Sequence, residues 1–281
     1  MMDAGVEASP GPNVAAIESI EGEAWLDMYA AAPGAYVRQS GLKFERLGTL
    51  IALADQSIPS TEFNRALCLG HSNPATEAEL DRAIAWLKNN ASPSWAIQIP
   101  PPVQPDVIGH WMETRGLAKS GNGWAKHHRG ANAVRQTSRA SSFEVRLADE
   151  HDAQEFGHIA HAGFGLPQST VPWFASLIGR PKWKIFLAYD GDDPIAGGAL
   201  FLDGDWGWLG IDTTLPGYRG RGAQSALIAR RLEAGVAAGA TGFTAETGQP
   251  PAGEEGKYAS YRNYRSAGFE VAYVRPNYKI A

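Results

Sequence analysis

The stretch that most constrains this chain is residues 205–239. There an apolar run, 206–211, meets the turn Thr214-Leu215-Pro216-Gly217-Tyr218-Arg219-Gly220-Arg221-Gly222-Ala223, and a long alanine-rich amphipathic segment follows. The order reads strand, loop, helix. Gly220 and Gly222 let the backbone bend and come close to a ligand, and the unpaired N–H groups of the helix start point at whatever sits there. Arg219 and Arg221 add two charges suited to phosphate oxygens. The alternative at this point is an ordinary strand-to-helix turn with two solvated arginines.

Two common phosphate loops are excluded by what is missing. A Walker loop needs Gly-Lys-Ser/Thr, whereas Gly222 is followed by Ala223-Gln224. A dinucleotide fingerprint would place a third glycine where Ser225 stands.

With 281 residues and 44% hydrophobic composition the chain can bury a core in each of two domains. A formal net charge of −5 offers no general field for nucleic acid or an anionic membrane, so attraction for phosphate must be local. The single cysteine, Cys68, excludes internal disulfides and multi-cysteine zinc sites, which suits a reducing compartment. Glu155, His158 and His161 share helical spacing, but no third histidine or cysteine is near, and no metal is expected. No apolar run reaches membrane length, and residues 1–12 lack the basic start and apolar middle of a secretory signal. The expectation is a soluble cytoplasmic protein.

Residues 1–13 are expected to be disordered, 14–128 to form a first domain, 129–142 a linker and 143–281 a second domain. The first half reads as helical spacing over 14–36 with its end at Pro33-Gly34, strands over 43–53 and 61–69, a helix over 73–90, a strand over 94–99, a helix over 106–115 and a strand or hairpin over 117–128. The second half begins with a strand over 143–147, helices over 149–163 and 169–178, and a hairpin of 183–189 with 194–202. Strand 206–213 and the long helix follow, the helix with Leu227, Ile228, Leu232, Gly235 and Val236 inward. A strand over 242–247, a helix over 258–267 and a closing strand pair over 269–279 complete the chain.

The string Pro216-x-Tyr218-Arg219-Gly220-Arg221-Gly222 resembles the acyl-CoA pyrophosphate loop of the GNAT superfamily of N-acetyltransferases, Arg/Gln-x-x-Gly-x-Gly/Ala. Arg219 and Gly222 match, while Gln224 stands where the family has a small residue. The element order of residues 141–281 is similar to that of the GNAT fold, and Ser260-x-x-Asn263-Tyr264-x-x-x-Gly268-Phe269 looks like its second signature.

The resemblance implies an α/β fold, a mixed twisted sheet with flanking helices, and acetyl-CoA as co-substrate. Arg219, Gly220, Arg221, Gly222, Ala223 and Gln224 would cradle the pyrophosphate, with Gln224 turned away from it or donating an amide hydrogen bond to it. Asp212, Thr213 and Thr214 would line the pantetheine gap, and Asn263 would contact the pantetheine or ribose. Tyr264 takes the place of the family's general acid, a phenol of pKa near ~10 facing a thiol of pKa near ~8.5. Glu246 is the first candidate base and Asp212 the second. Core packing for Tyr264 and a solvated strand position for either carboxylate are the plain alternatives.

Residues 63–117 parallel this plan weakly, but the turn Gly70-His71-Ser72-Asn73-Pro74 carries no arginine. A degenerate GNAT-like copy that completes a substrate cleft or covers the active half is expected, with an unrelated α/β domain as the alternative. The function implied is direct transfer of an acetyl group to an amine of unknown identity, with a small molecule the expected acceptor and small amine, amino acid, aminoglycoside and protein amine all suited to the chemistry. A non-catalytic acyl-CoA-binding sensor is the rival reading. Neither nucleic acid nor membrane is expected as a partner, and a homodimer is compatible with the sequence.

Overall fold

The computed structural model describes residues 12–101, 107–131 and 143–281. The segment 1–11 and most of the expected linker, 132–142, lie outside the described residues, as do 102–106. Arg129 and Gly130, assigned above to the linker, are the end of a strand.

Helix α1 (Val14–Ala30) starts where the Asn13 side chain accepts from the Ala16 N–H at 3.1 Å. It stops short of Pro33, which instead caps a separate short helix, α2 (Gly34–Ser40), because proline is tolerated at a helix start. The apolar stretch 43–53 is a hairpin, β1 (Lys43–Leu47) and β2 (Leu50–Ala54), reversing at Gly48 with φ of 72°. Strand β3 (Arg65–Leu67) is shorter than its apolar run. Helix α3 (Glu77–Asn90) begins at a Thr76/Glu79 capping box, three residues past the expected Asn73-Pro74 opening. Strand β4 (Ala96–Gln98), helix α4 (Ile108–Glu113) and strand β5 (Leu117–Gly130) complete the first half.

The second half holds β6 (Glu144–Leu147), α5 (Ala153–Phe164), α6 (Val171–Ala175), β7 (Trp183–Asp190), β8 (Asp193–Asp203), β9 (Trp206–Thr214), α7 (Ala223–Ala237), β10 (Gly242–Gly248), α8 (Ala259–Ser266) and β11 (Glu270–Ile280). On α7 the expected inner face holds for Leu227, Ile228, Leu232 and Gly235, but Val236 is 42% exposed and Arg231 is buried.

Among the described residues all eleven strands join one sheet in the order β1-β2-β3-β4-β11-β5-β10-β9-β8-β7-β6. Two neighbouring pairs run parallel, β3 with β4 around α3 and β9 with β10 around α7. The centre is an exchange: β5 pairs antiparallel with β10, β11 pairs antiparallel with β4, and β5 and β11 pair with each other. Each half is thus completed by the last strand of the other.

Of the strand or hairpin read over 117–128 the structure has the single strand, while 269–279 form one strand where a pair was expected. Gly121 and Gly123, with φ of 66° and 79°, make a bulge opposite Pro276 instead of a reversal, and the register steps from Arg275↔Trp124 to Asn277↔Ser120 across it.

Helix α1 bridges the halves. The Trp173 indole donates to the Met28 carbonyl at 2.7 Å, and Asp27 takes Arg180 at 2.8 Å and the Trp183 indole at 2.7 Å. A fragment of residues 143–281 lacks β5 and bares the edges of both β10 and β11. It is expected to show no cooperative thermal transition by circular dichroism alone and to recover one when co-expressed with residues 1–131. A cooperative transition in the isolated fragment would show instead that the halves fold independently.

Candidate active site

Strands β9 and β10 pair only from Trp206↔Gly242 to Leu209↔Ala245, after which β9 runs on to Thr214 and β10 to Gly248 unpaired with each other. The parting follows a bulge. The register of β9 against β8 steps from Ala199↔Gly210 to Gly197↔Thr213, and Ile211 within it has φ of 55°. A β-branched residue in left-handed backbone is strained and persists only where its surroundings over-determine it.

Arg231 of α7 supplies that determination. Its buried guanidinium donates to the carbonyls of Ala199 at 3.0 Å and Gly210 at 3.3 Å, beside the break, and pairs with Asp212 just after it. Gly198 leaves the room, since a Cβ there would lie 2.9 Å from the Arg231 Cζ. Sequence reading missed Arg231. Its signal was a charge four residues after Leu227, on the apolar face of the helix.

Two cavities open in the gap. One, of about 640 Å³, is lined by Thr213, Thr214, Tyr218, Arg219, Gly220, Gly222, Ala223, Gln224, Ser225, Arg262 and Asn263. Here α7 starts without a side-chain cap behind Gly222, whose φ is 95°, so its first-turn amides remain for a ligand. The Arg219 guanidinium holds the loop against α5, donating to Thr214 O at 3.1 Å and Gly163 O at 3.0 Å. Gly163 must be glycine, because a Cβ would fall 1.4 Å from the Thr213 hydroxyl.

Arg221 departs from expectation. Its guanidinium pairs with Asp190 at 3.0 Å and lies over the Phe143 ring at 4.9 Å, so only its backbone belongs to the loop. Arg262, which sequence reading passed over beside Asn263, is the second arginine lining the groove. Gln224 neither turns away nor stands alone: it donates to Ser260 at 3.0 Å, accepts from Asn263 at 2.8 Å, and so ties α7 to α8.

The other cavity, of about 460 Å³, is walled by Trp25, Met28 and Phe63 from the first half and Phe164, Phe174 and Trp208 from the second. Asp212, Gln224 and Ser260 line both cavities. At this junction the Tyr264 hydroxyl donates to one Asp212 oxygen while Arg231 holds the other. Tyr264 stacks on His127 at 5.6 Å and meets Phe269 edge-on at 5.2 Å. Burial, then the Asp212 charge, push its phenol well above the usual range.

Glu246 also reaches this cavity, but clamped. Arg65 lies 2.9 Å and Lys126 3.6 Å away, and Arg275 donates to its second oxygen. Burial alone would raise its pKa, yet the three cations hold it well below the usual carboxylate range. A carboxylate held so low is a weak base, which runs against the expectation of Glu246 as proton acceptor. Cys68 is buried and lines neither cavity.

No protein-family model and no curated protein matches the sequence. Solved structures do. A GCN5-related N-acetyltransferase from Kribbella flavida superposes over 96% of both chains with a TM-score of 0.61 at 15% identity. One from Sphaerobacter thermophilus covers 71% of this chain and 65% of its own, with a TM-score of 0.56 at 15% identity. A functionally unknown conserved protein from Staphylococcus epidermidis covers 83% of this chain and 91% of its own, with a TM-score of 0.54 at 12% identity. The chain therefore has the GNAT fold, a large mixed α/β sheet with flanking helices. Among the described residues no helix is long and apolar enough to cross a membrane.

His127 offers a test of the packing around Tyr264. Burial, then Lys126 and Arg265, lower its pKa to about 3, so it is neutral in the folded state, and its Nε2 meets the Thr247 hydroxyl at 2.9 Å. The unfolded chain takes up that proton near pH ~6.5. The unfolded state thus binds more protons between about pH 6.5 and about 3, and stability falls as pH falls through that window. Urea midpoints at pH 7.5 and 5 should differ less for His127→Asn than for the parent. An equal shift in both would remove His127 as the cause.

Proposed function

We propose that the protein is an acetyl-CoA-dependent N-acetyltransferase acting on a small amine. The observation that carries this reading is the shared wall: a groove built for phosphate and a largely apolar cavity meet at Asp212, Gln224 and Ser260. The groove suits the co-substrate, with an uncapped helix start, left-handed Gly220 and Gly222, and Arg219 and Arg262 on its lining. The β9 backbone past Leu209, which β10 does not pair, would take the pantetheine arm. Acetyl-CoA supplies a thioester whose carbonyl carbon accepts the amine nitrogen as the thiolate leaves.

Proton traffic then falls to Tyr264 and Asp212, with Asp212 replacing Glu246 as base. The amine gives its proton to Asp212 and Tyr264 gives its own to the thiolate. The hydrogen bond between the two returns the proton from Asp212 to the phenolate. Their order follows from electrostatics. After burial, the Asp212 charge is what holds the phenol's proton, and protonating Asp212 removes that charge as the thiolate needs a donor.

Free thiol should appear when acetyl-CoA and an amine panel are incubated with the protein. Tyr264→Phe should cut kcat by about 10² to 10⁴ while calorimetric affinity for acetyl-CoA stays close to the parent's. Unchanged turnover removes Tyr264 from the chemistry. No heat with acetyl-CoA at all removes the enzyme reading and leaves the groove without its ligand.

A further inference from the structure

The apolar cavity carries information about its occupant that the fold does not. Among the described residues its lining includes no Lys, Arg or His, yet it includes three carboxylates, Glu62, Asp212 and Glu246. Two of these are neutralised. Asp212 is paired by Arg231, and Glu246 belongs to a buried set in which Arg65, Lys126 and Arg275 balance Glu18, Glu21 and Glu246 itself. Glu62 is different. Among the described residues it has no cation partner and accepts only the Ser60 hydroxyl, at 3.0 Å.

The cavity therefore combines uncompensated negative charge with a ring of aromatic wall. Its volume of about 460 Å³ lies within the range of small-molecule sites.

We infer that the acceptor is an amine carried on an aromatic or bulky apolar body and bearing no carboxylate or phosphate. This rests on the acetyltransferase reading for the word acceptor, but the selectivity belongs to the cavity itself. The body fills the apolar walls by burial of its surface, and the cationic head is favoured by the charge of Glu62, which no cation pairs among the described residues. An anion on the ligand would enter an apolar space with no cation left to pair it, a costly placement. Free amino acids are thereby disfavoured against the corresponding decarboxylated amines.

Calorimetry of the full chain, with and without saturating CoA, separates these classes using tryptamine, phenethylamine, tryptophan, phenylalanine and ethylamine. Tryptamine and phenethylamine are expected to bind, the two amino acids roughly ten-fold more weakly or worse, and ethylamine least. Glu62→Arg, a change at a part-exposed loop position, should narrow the gap between tryptamine and tryptophan. Equal or tighter binding of tryptophan, binding of ethylamine as tight as that of tryptamine, or a gap unchanged in Glu62→Arg would overturn the inference. Thiol release is followed separately. Tryptamine that binds without releasing thiol sinks the acetyltransferase reading and keeps the cavity's selectivity. Thiol released with other amines while the arylalkylamines fail to bind does the reverse.

Discussion

Six charges buried together in the middle of the sheet set the terms for the rest of the molecule. Glu18 and Glu21 come from α1, Arg65 from β3, Lys126 from β5, Glu246 from β10 and Arg275 from β11, and the Tyr273 hydroxyl donates to Glu18 at 2.5 Å. Such a cluster is weak evidence for stability, because desolvating each ion costs several kcal/mol. What it does is penalise error. Lys126 stands directly opposite Glu246 on one side and Tyr273 on the other, and a one-residue slip of either exchanged strand would turn its charged side chain to the other face. An ion left without its partner there costs roughly 3–5 kcal/mol, a large part of a domain's net stability. The strand exchange and the charge cluster therefore specify one another.

That arrangement explains why the first half does more than cover the second. Glu246 is held at the cluster's edge, so the wall it forms is rigid, and α1 brings Trp25 and Met28 to the same cavity from the far side of the sequence. Arg65 lies over the Trp25 ring at 4.4 Å, which couples the aromatic wall to the charges behind it. The cavity is a product of both halves. Removing the first half would leave the loop groove, lined by residues 163–263, without that cavity beside it.

The parts of this structure that were legible in the sequence are those decided within a few residues. The loop around Gly220 and Gly222, the amphipathic α7 and the Asn263 and Tyr264 pair of α8 follow from local backbone chemistry and helical spacing, and the structure brings the loop, the start of α7 and Asn263 to one groove, with Tyr264 on the cavity that adjoins it. Strand partners are decided elsewhere. Nothing near 117–130 states that its neighbours are β10 and β11, and the glycines that suggested a hairpin there serve a bulge. Charges hide for a related reason. Arg231, Arg65 and Arg275 read as solvated by type, and only partners distant in sequence, up to 257 residues apart for Arg275 and Glu18, make their burial tolerable. Glu246 was visible as a carboxylate near the cleft, but not the three cations that change its role.

Arg231 joins the two chemical tasks of the site. One face of its guanidinium satisfies carbonyls beside the β9 bulge, and the other neutralises Asp212, on which the Tyr264 hydroxyl rests. The bulge parts β9 from β10 and so opens the gap, while the carboxylate orients the Tyr264 phenol at its edge. A group that served only one of these tasks could be replaced by water or by another polar side chain. A buried cation serving both cannot drift without closing the gap and releasing the phenol together, so the geometry of the opening and the placement of the Tyr264 hydroxyl are fixed by the same atoms.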